Sequence, residues 1–423
     1  MATLLRFDMP RTGGGRRWTA GVLVSSKCTQ AAAALIAADG HGTDAQARAA
    51  GAVTAEIPNK TVALFGSLAG TPGASAGSIA LLRAQLAEIE AALMADLLSG
   101  LGVAPSRVLA VGVHDPGLWH TARGEPAGYL GLCDAARLAE ATGLNVIDAF
   151  PARDLAQGGL GGPITAMSQW MLLRHAQRGR VVLDLGRTVQ ISYLPPTLAD
   201  KAASRILSFE AGPGTAMLDL LAERLTGGRH RFDPGGRLAV QGRRIPELLE
   251  HWLSDPYFDR PLPRWHPQGV RPERFLSDSM QMAVDFDWSV RDLLCSATHF
   301  IAETIVRAIS RRLPEDARIS EVVIAGGGQQ NGMLLREIGR ATKLPLVRIG
   351  DLGYPDDAFG PACIALLALL HLDQVPANAT AVTKTDVPRL LGRLTPGSPQ
   401  NWQRLLQACA GSSPAVRPLR SAV

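Results

Sequence analysis

The feature that most constrains this chain is a recurring pattern: a short apolar run stops at glycine. "RVVLDLG" closes on Gly186, and "EVVIAGGG" closes on Gly326, Gly327 and Gly328. Such runs fall well short of the roughly 20 apolar residues that cross a bilayer, so they read as buried strands. Strands alternating with helices imply an α/β architecture with mixed sheets. Ser75 to Ser99 places apolar residues at helical spacing behind a serine able to cap it, which predicts a helix. "LCDAARLAEATG" predicts a helix stopped by Gly143, and "LNVIDAF" a short strand after it. "RVVLDLGRTVQISYLP" reads as a strand pair about a glycine turn, "GPGTAMLDLLAERLTG" as a glycine loop opening a helix, and residues 285–314 as one long helix. The order of strand pair then helix occurs twice.

Composition narrows the function. Arg6, Asp8 and Arg11 interrupt the N-terminal stretch and deny it the core of a signal peptide, so residues 1–17 read as a flexible basic tail on a cytoplasmic protein. Residues 406–423, rich in Pro and Ser toward their end, read as a second flexible tail. The five cysteines are far apart and form no CxxC pair, which argues against a disulfide scaffold and a zinc site. The net charge is +5, but the arginines are scattered and aromatics make up 5% of residues. That pattern shows no basic stripe with stacking rings, so neither a nucleic acid nor a membrane is an expected partner, and a small anionic molecule is.

Glycine marks the candidate chemistry. In "ARDLAQGGLGGP" (152–163), Arg153 and Asp154 stand beside four glycines. Bare backbone there lets the chain bend and lets a ligand approach; an ordinary surface turn is the plain alternative. "DLGRTVQ" (184–190) closes a strand pair where amides can point at phosphate. "EAGPGTAMLD" (210–219) runs into a helix N-terminus, where free amides favour an anion. "AGGGQQN" (325–331) lies between strand and helix, where open α/β sheets bind ligands. None of these carries GxGxxG in its dinucleotide context or a GxxxxGK[ST] loop.

The order of these motifs resembles the anhydro-N-acetylmuramic acid kinases, sugar kinases of the superfamily of hexokinase, actin and the heat-shock chaperone ATPases. The likeness runs from about Gly21 to about Leu391 through "VGVHDPGLWH", "FPARDLAQGGLGGP", "VLDLGRTVQIS", "EAGPGTAMLD", "LSDPYFDRPLP" and "VVIAGGGQQNGML". The resemblance implies an ATP- and Mg²⁺-dependent kinase that opens a 1,6-anhydro ring with water and phosphorylates O6, as in peptidoglycan recycling. Asp154 matches the catalytic aspartate, with Arg153 beside it. Nucleotide contacts carry over to Ser25, Ser26, Lys27, Asp184, Gly186, Thr188, Gly212, Gly214, Thr215, Gly326, Gly327, Gly328 and Asn331. Sugar contacts carry over to His114, Trp119, His120, Gly158, Gly159 and Asp357. No metal site is read from His114 and His120, which lack an acidic or cysteine partner at ligand spacing.

The chain departs from the family in two places. Its first phosphate loop reads "GVLVSSKCTQ", with Thr29 where the family has aspartate, and Lys27 is the charge left there. On the sugar side, "WHPQG" follows Arg264 in place of Ser-Thr-Gly-Arg-Glu, and Phe359 replaces a glutamate. An active sugar kinase is therefore one reading, and a pseudokinase that keeps the fold as a binding or regulatory protein is the other. The implied fold is the two-lobed sugar-kinase and actin-like ATPase fold, with mixed five-stranded sheets flanked by helices and an interdomain cleft. Residues 18–145 with about 376–405 are expected to form the first lobe, and residues 146–375 the second, carrying the catalytic aspartate and nucleotide motifs. A homodimer is implied by the resemblance.

Overall fold

The computed structural model describes residues 3–7, 16–69, 71, 73–122, 127–267 and 269–410. In chain order the elements begin with β1 (Thr3–Arg6), β2 (Arg17–Val24), β3 (Gln30–Asp39), β4 (Gln46–Glu56), α1 (Asn59–Leu68) and α2 (Ala76–Leu101). Next come β5 (Val108–His114), β6 (Trp119–Thr121), β7 (Gly128–Leu130), α3 (Ala135–Thr142), β8 (Val146–Asp148), α4 (Phe150–Leu155) and α5 (Ala166–Leu173). They continue with β9 (Gly179–Leu185), β10 (Thr188–Leu194), β11 (Leu207–Pro213), α6 (Thr215–Thr226), α7 (Pro246–Leu253), α8 (Glu273–Asp285) and α9 (Val290–Arg312). Last are β12 (Ile319–Ala325), α10 (Gly332–Thr342), β13 (Leu346–Arg348), α11 (Asp356–Leu372), α12 (Thr380–Thr383), β14 (Arg393–Thr395) and α13 (Pro399–Ala410).

These elements form two compact units: residues 1–157, 357–378 and 388–423, and residues 158–356 with 379–387. The first unit holds a seven-stranded sheet ordered β1-β4-β3-β2-β5-β8-β14, the second a five-stranded sheet ordered β11-β10-β9-β12-β13. Without the edge strands β1 and β14, both sheets follow one plan. Three strands run as an antiparallel meander, and two more join parallel to the first. The doubled strand-pair-then-helix pattern of the sequence is this repeated plan.

Local chemistry explains the helix limits. The Ser75 hydroxyl accepts from the Ser78 amide at the start of α2, and Gly102 closes that helix with left-handed backbone. Asp134 and Gly143 bracket α3 in the same way. The predicted long helix begins only at α9, because Ser289 and Asp292 form a reciprocal capping box that stops it there. α9 is apolar over a membrane-spanning length, but 67% of its apolar window is buried inside the second unit.

Three expectations are corrected. Residues 146–157 and most of α11 belong to the first unit, not the second. The reason is close helix–sheet packing: a Cβ on Gly21 of β2 would lie 2.1 Å from the Pro361 carbonyl oxygen, and one on Gly112 of β5 2.8 Å from that of Ile364. Thr3–Arg6 is no loose tail but an edge strand, paired antiparallel to β4 from Thr3–Thr54 to Arg6–Gly51. Residues 406–410 continue helix α13, while 411–423 and most of the N-terminal basic stretch lie outside the described residues.

Candidate active site

Asp154 sits near the end of α4. The chain enters this helix from β8 through Ala149, whose φ is 53°, and Pro151 fits the first turn, where no amide donor is needed. Asp154 is 0% exposed, and its Oδ1 accepts a hydrogen bond from Asn378 Nδ2 at 2.7 Å. Asn378 Oδ1 in turn accepts the Arg389 amide at 2.5 Å. That second bond fixes which end of the Asn378 amide faces Asp154, since an oxygen occupied by a donor leaves the NH₂ group for the carboxylate. The Arg389 guanidinium reaches Gln157 Oε1 at 2.8 Å, tying the same segment to the end of α4. Arg153 is exposed. Its charge adds to burial in holding His371 below the usual imidazole range, against a bond between His371 Nδ1 and the Leu391 carbonyl.

The β2–β3 turn carries Ser25, Ser26 and Lys27. Ser25 Oγ accepts the amides of Thr29 and Gln30, each at 3.0 Å, so its hydroxyl and both amides serve the turn itself. Cys28 holds a φ of 55°, and burial, then Asp115 and Glu90, push its thiol up to about 12. Ser26 and Lys27 remain exposed at the tip.

In the second unit, the glycine motifs converge on the end of β9. Asp184 faces this corner, and a Cβ on Gly326 would lie 2.4 Å from its Oδ1. Gly326 has a φ of 78°, and a Cβ on Gly328 would lie 2.6 Å from that of Leu185. Gly327 has open space around it and is exposed. Burial raises the Asp184 pKa, and no hydrogen bond or ion pair reaches its carboxylate among the described residues. The start of α6 behaves differently from the sequence expectation of free amides. Gly214 donates to the Arg187 carbonyl at 2.9 Å, and Thr215 to that of Gly186 at 2.8 Å. Thr215 Oγ1 joins the same Gly186 oxygen at 3.1 Å. This helix end therefore braces the β9–β10 turn, and among the described residues the amides of Gly186 and Arg187 find no backbone acceptor. Gly212 gives room to the Phe258 ring, 3.1 Å from a modest added Cβ, and Asn331 caps α10 by accepting the Leu334 amide. Thr188 begins β10.

The remaining predicted residues lie on several elements. His114 ends β5 with its Nδ1 buried and without a hydrogen-bond partner among the described residues, and burial with nearby His120 lowers its pKa to about 4. His120 stands edge-on to Tyr129 across the β6–β7 ribbon, where Trp119 is 58% exposed. Asp115 anchors that ribbon by accepting the amides of Gly117, Leu132 and Cys133. Gly158 is exposed with a φ of 77°, Gly159 is buried, and Asp357 is exposed at the start of α11. Sequence reasoning missed Asn378: it is 224 residues from Asp154 and belongs to no motif, so only the folded chain reveals the pair.

Two sheets of one plan, the glycine-lined turn after β9 and a family match over residues 23–397 make the chain an ATP-dependent carbohydrate kinase. Residues 23–397 match the family described as anhydro-N-acetylmuramic acid kinase. The Acaryochloris marina protein of that name is 31% identical over 317 residues, covering 74% of this chain and 79% of its own. Its namesake from Neisseria meningitidis serogroup B is 31% identical over 316 residues, covering 74% and 81%. A solved xylulose kinase from Rhodospirillum rubrum is similar at 12% identity over 94% of this chain and 97% of that one, with a TM-score of 0.44. The chain belongs to the anhydro-N-acetylmuramic acid kinase family.

Proposed function

We propose that this chain hydrolyses the 1,6-anhydro bond of anhydro-N-acetylmuramic acid or a related sugar while phosphorylating O6, as a cytoplasmic enzyme of amino-sugar recycling. The observation that carries this reading is the buried Asp154 carboxylate, aimed by an asparagine that is itself fixed by a backbone amide. Asp154 takes a proton from water as the water oxygen bonds to the anomeric carbon. The bond from that carbon to O6 breaks, O6 bonds to the γ-phosphorus of ATP, and the bond to the ADP oxygen breaks. The products are the 6-phosphosugar and ADP, with one proton released. The Gly186 and Arg187 amides would donate to phosphate oxygens, and exposed Gly327 would let the nucleotide lie against bare backbone. Mg²⁺ keeps several of its waters and needs one or two carboxylates, so Asp184, without a protein partner, fits it. The ion would neutralise phosphate charge. Exposed Lys27 and Ser26 are the remaining phosphate contacts of the first turn, and Arg153 of the catalytic helix. His114, Trp119, His120, Gly158, Gly159 and Asp357 are the proposed sugar contacts.

A second reading, a pseudokinase, rests on one observation: the β2–β3 turn closes its Ser25 hydroxyl and two amides on itself. Phosphorus NMR of protein, Mg·ATP and anhydro-N-acetylmuramic acid separates the two. Growth of ADP and sugar-phosphate signals together is the expected result. ATP binding without turnover on any anhydro-sugar would leave the pseudokinase.

Asn378 gives a sharper check on the carboxylate's role. Asn378→Ala is expected to lower kcat about tenfold with a smaller change in KM, because it removes one charge-assisted hydrogen bond worth about 1.5–3 kcal/mol. Asn378→Asp places a like charge beside Asp154 and is expected to shift the acidic limb of the kcat profile upward in pH. A kcat profile that stays in place would show that Asn378 does not orient the base.

A further inference from the structure

α10 packs against α9 in the second unit, and midway along α10 a buried carboxylate gathers positive groups. Glu337 Oε1 accepts Arg336 Nε at 3.1 Å, and Oε2 lies 3.7 Å from Arg340 Nη1 and 3.5 Å from His299 Nδ1 of α9. The segment before α7 brings a further cation. The Arg243 amide donates to Asp292 Oδ1 at 2.6 Å and the Ile245 amide to Ser296 Oγ at 3.0 Å, which pins the residue between them, Arg244, against α9. Arg244 is exposed, and its side chain has no hydrogen bond or ion pair among the described residues. Its charge acts on His299 and on Cys295, one turn back along α9.

The charges of this cluster do not cancel. Arg244, Arg336 and Arg340 meet one carboxylate, and the acids of α9 are engaged elsewhere: Asp292 by Ser289 and the Arg243 amide, Glu303 by Arg307 at 3.2 Å. Glu247, three residues on from Arg244, forms no ion pair with it among the described residues. Burial lowers the His299 pKa, Glu337 opposes this, and the three arginines add to the lowering, so the imidazole is neutral. Burial likewise keeps the Cys295 thiol protonated. Arg336 uses only Nε on Glu337, so the forked end of its guanidinium stays open to an oxyanion. None of the three arginines enters the catalytic, nucleotide or sugar contacts.

We propose that Arg244, Arg336 and Arg340 form a site for a phosphate oxyanion, with Glu337 holding two of them in place. A guanidinium already fixed by a carboxylate loses less side-chain freedom when the anion arrives. Three planar donor groups from two elements suit an ion with several charged oxygens better than they suit chloride. A free phosphate and a diphosphate group carry the same chemistry, and the assay separates them. An anion here cancels the arginine repulsion felt by His299, so binding makes the imidazole easier to protonate. The site goes beyond the sugar-kinase reading and does not depend on it.

The experiment follows the His299 imidazole of the full-length protein by NMR, its signal identified with His299→Gln. Sodium phosphate and sodium pyrophosphate are titrated against sodium chloride at matched ionic strength, with and without a saturating non-hydrolysable ATP analogue. The imidazole titration is expected to move upward by about half a pH unit with at least one phosphate and to stay in place with chloride. Arg244→Gln, which has no protein partner to lose, is expected to weaken that anion about tenfold, and Arg336→Gln combined with Arg340→Gln at least as much. Lys60→Gln, which removes the same charge from exposed α1, is expected to bind within about twofold of the unaltered protein. Tighter binding of pyrophosphate assigns the site to a diphosphate group, and equal or tighter binding of phosphate to a single one; either supports it. Chloride moving the imidazole as far, the ATP analogue displacing both anions, or arginine variants that bind no more weakly than Lys60→Gln would overturn it.

Discussion

Asp154→Asn is expected to lower kcat by about a thousandfold while ATP binding and the melting temperature stay close to those of the unaltered protein. The size follows from the role: a positioned general base contributes about 10²–10⁴ in rate. Asparagine keeps the shape of the side chain and an oxygen for the Asn378 Nδ2 donor, so the buried contact at 2.7 Å survives. What it loses is the ability to take a proton from water. Alanine at this position is a poorer test, because it would remove the acceptor of the 2.7 Å bond from Asn378 Nδ2 together with the base and add a folding cost of about 1–3 kcal/mol. The measurement is single-turnover formation of sugar phosphate at saturating ATP. A variant that retains a tenth or more of the rate would remove Asp154 from the chemistry and leave the family membership untouched.

The sequence made short-range features legible where one residue type has one physical use. Ser75 and Gly143 mark helix ends because a hydroxyl acceptor and a left-handed glycine do what few other residues can. What spacing could not show was the direction of amides. A GPG before a helix reads as an anion site, yet the amides of Gly214 and Thr215 turn back to hold Arg187 and Gly186. The family pattern marks Ser25 as a phosphate contact, and in the fold its hydroxyl closes its own turn.

Long-range packing was less legible still. α11 belongs with β2 and β5 because Gly21 and Gly112 let its backbone approach, and nothing in the local sequence distinguishes these glycines from those of a turn. β1 was hidden by its charge: Arg6 lies on an edge strand, where one side of the backbone pairs with β4 and the side chains retain access to water. Asn378 and Asp154 illustrate the same limit at the site, since a partner 224 residues away leaves no local pattern.

Glu90→Leu is expected to stabilise the first unit by about 1–3 kcal/mol at pH 8, the range measured for burying an uncompensated polar group. Glu90 lies on the core face of α2 at 0% exposure, and neither carboxyl oxygen has a hydrogen-bond partner among the described residues. Burial, then the neighbouring Asp115, Asp148 and Asp134, raise its pKa well above the usual carboxylate value. Arg83 donates to the Cys133 carbonyl and Arg393 is held by Asp148 at 2.6 Å, and among the described residues neither forms an ion pair with Glu90. The folded chain therefore keeps this proton where the unfolded chain has lost it. More protons bound in the folded state mean that stability falls as pH rises, from the ordinary carboxylate value up to the raised one. Leucine removes both the buried polar group and this slope; Glu90→Gln removes the slope but leaves an amide without partners. Urea midpoints read from exchange of α2 amides at pH 5 and pH 8 test the pair. The unaltered protein should lose stability between the two values, and the leucine variant should lose less and be more stable at the higher one. Equal slopes in the two proteins would mean that Glu90 finds a partner or water in solution that discharges its burial.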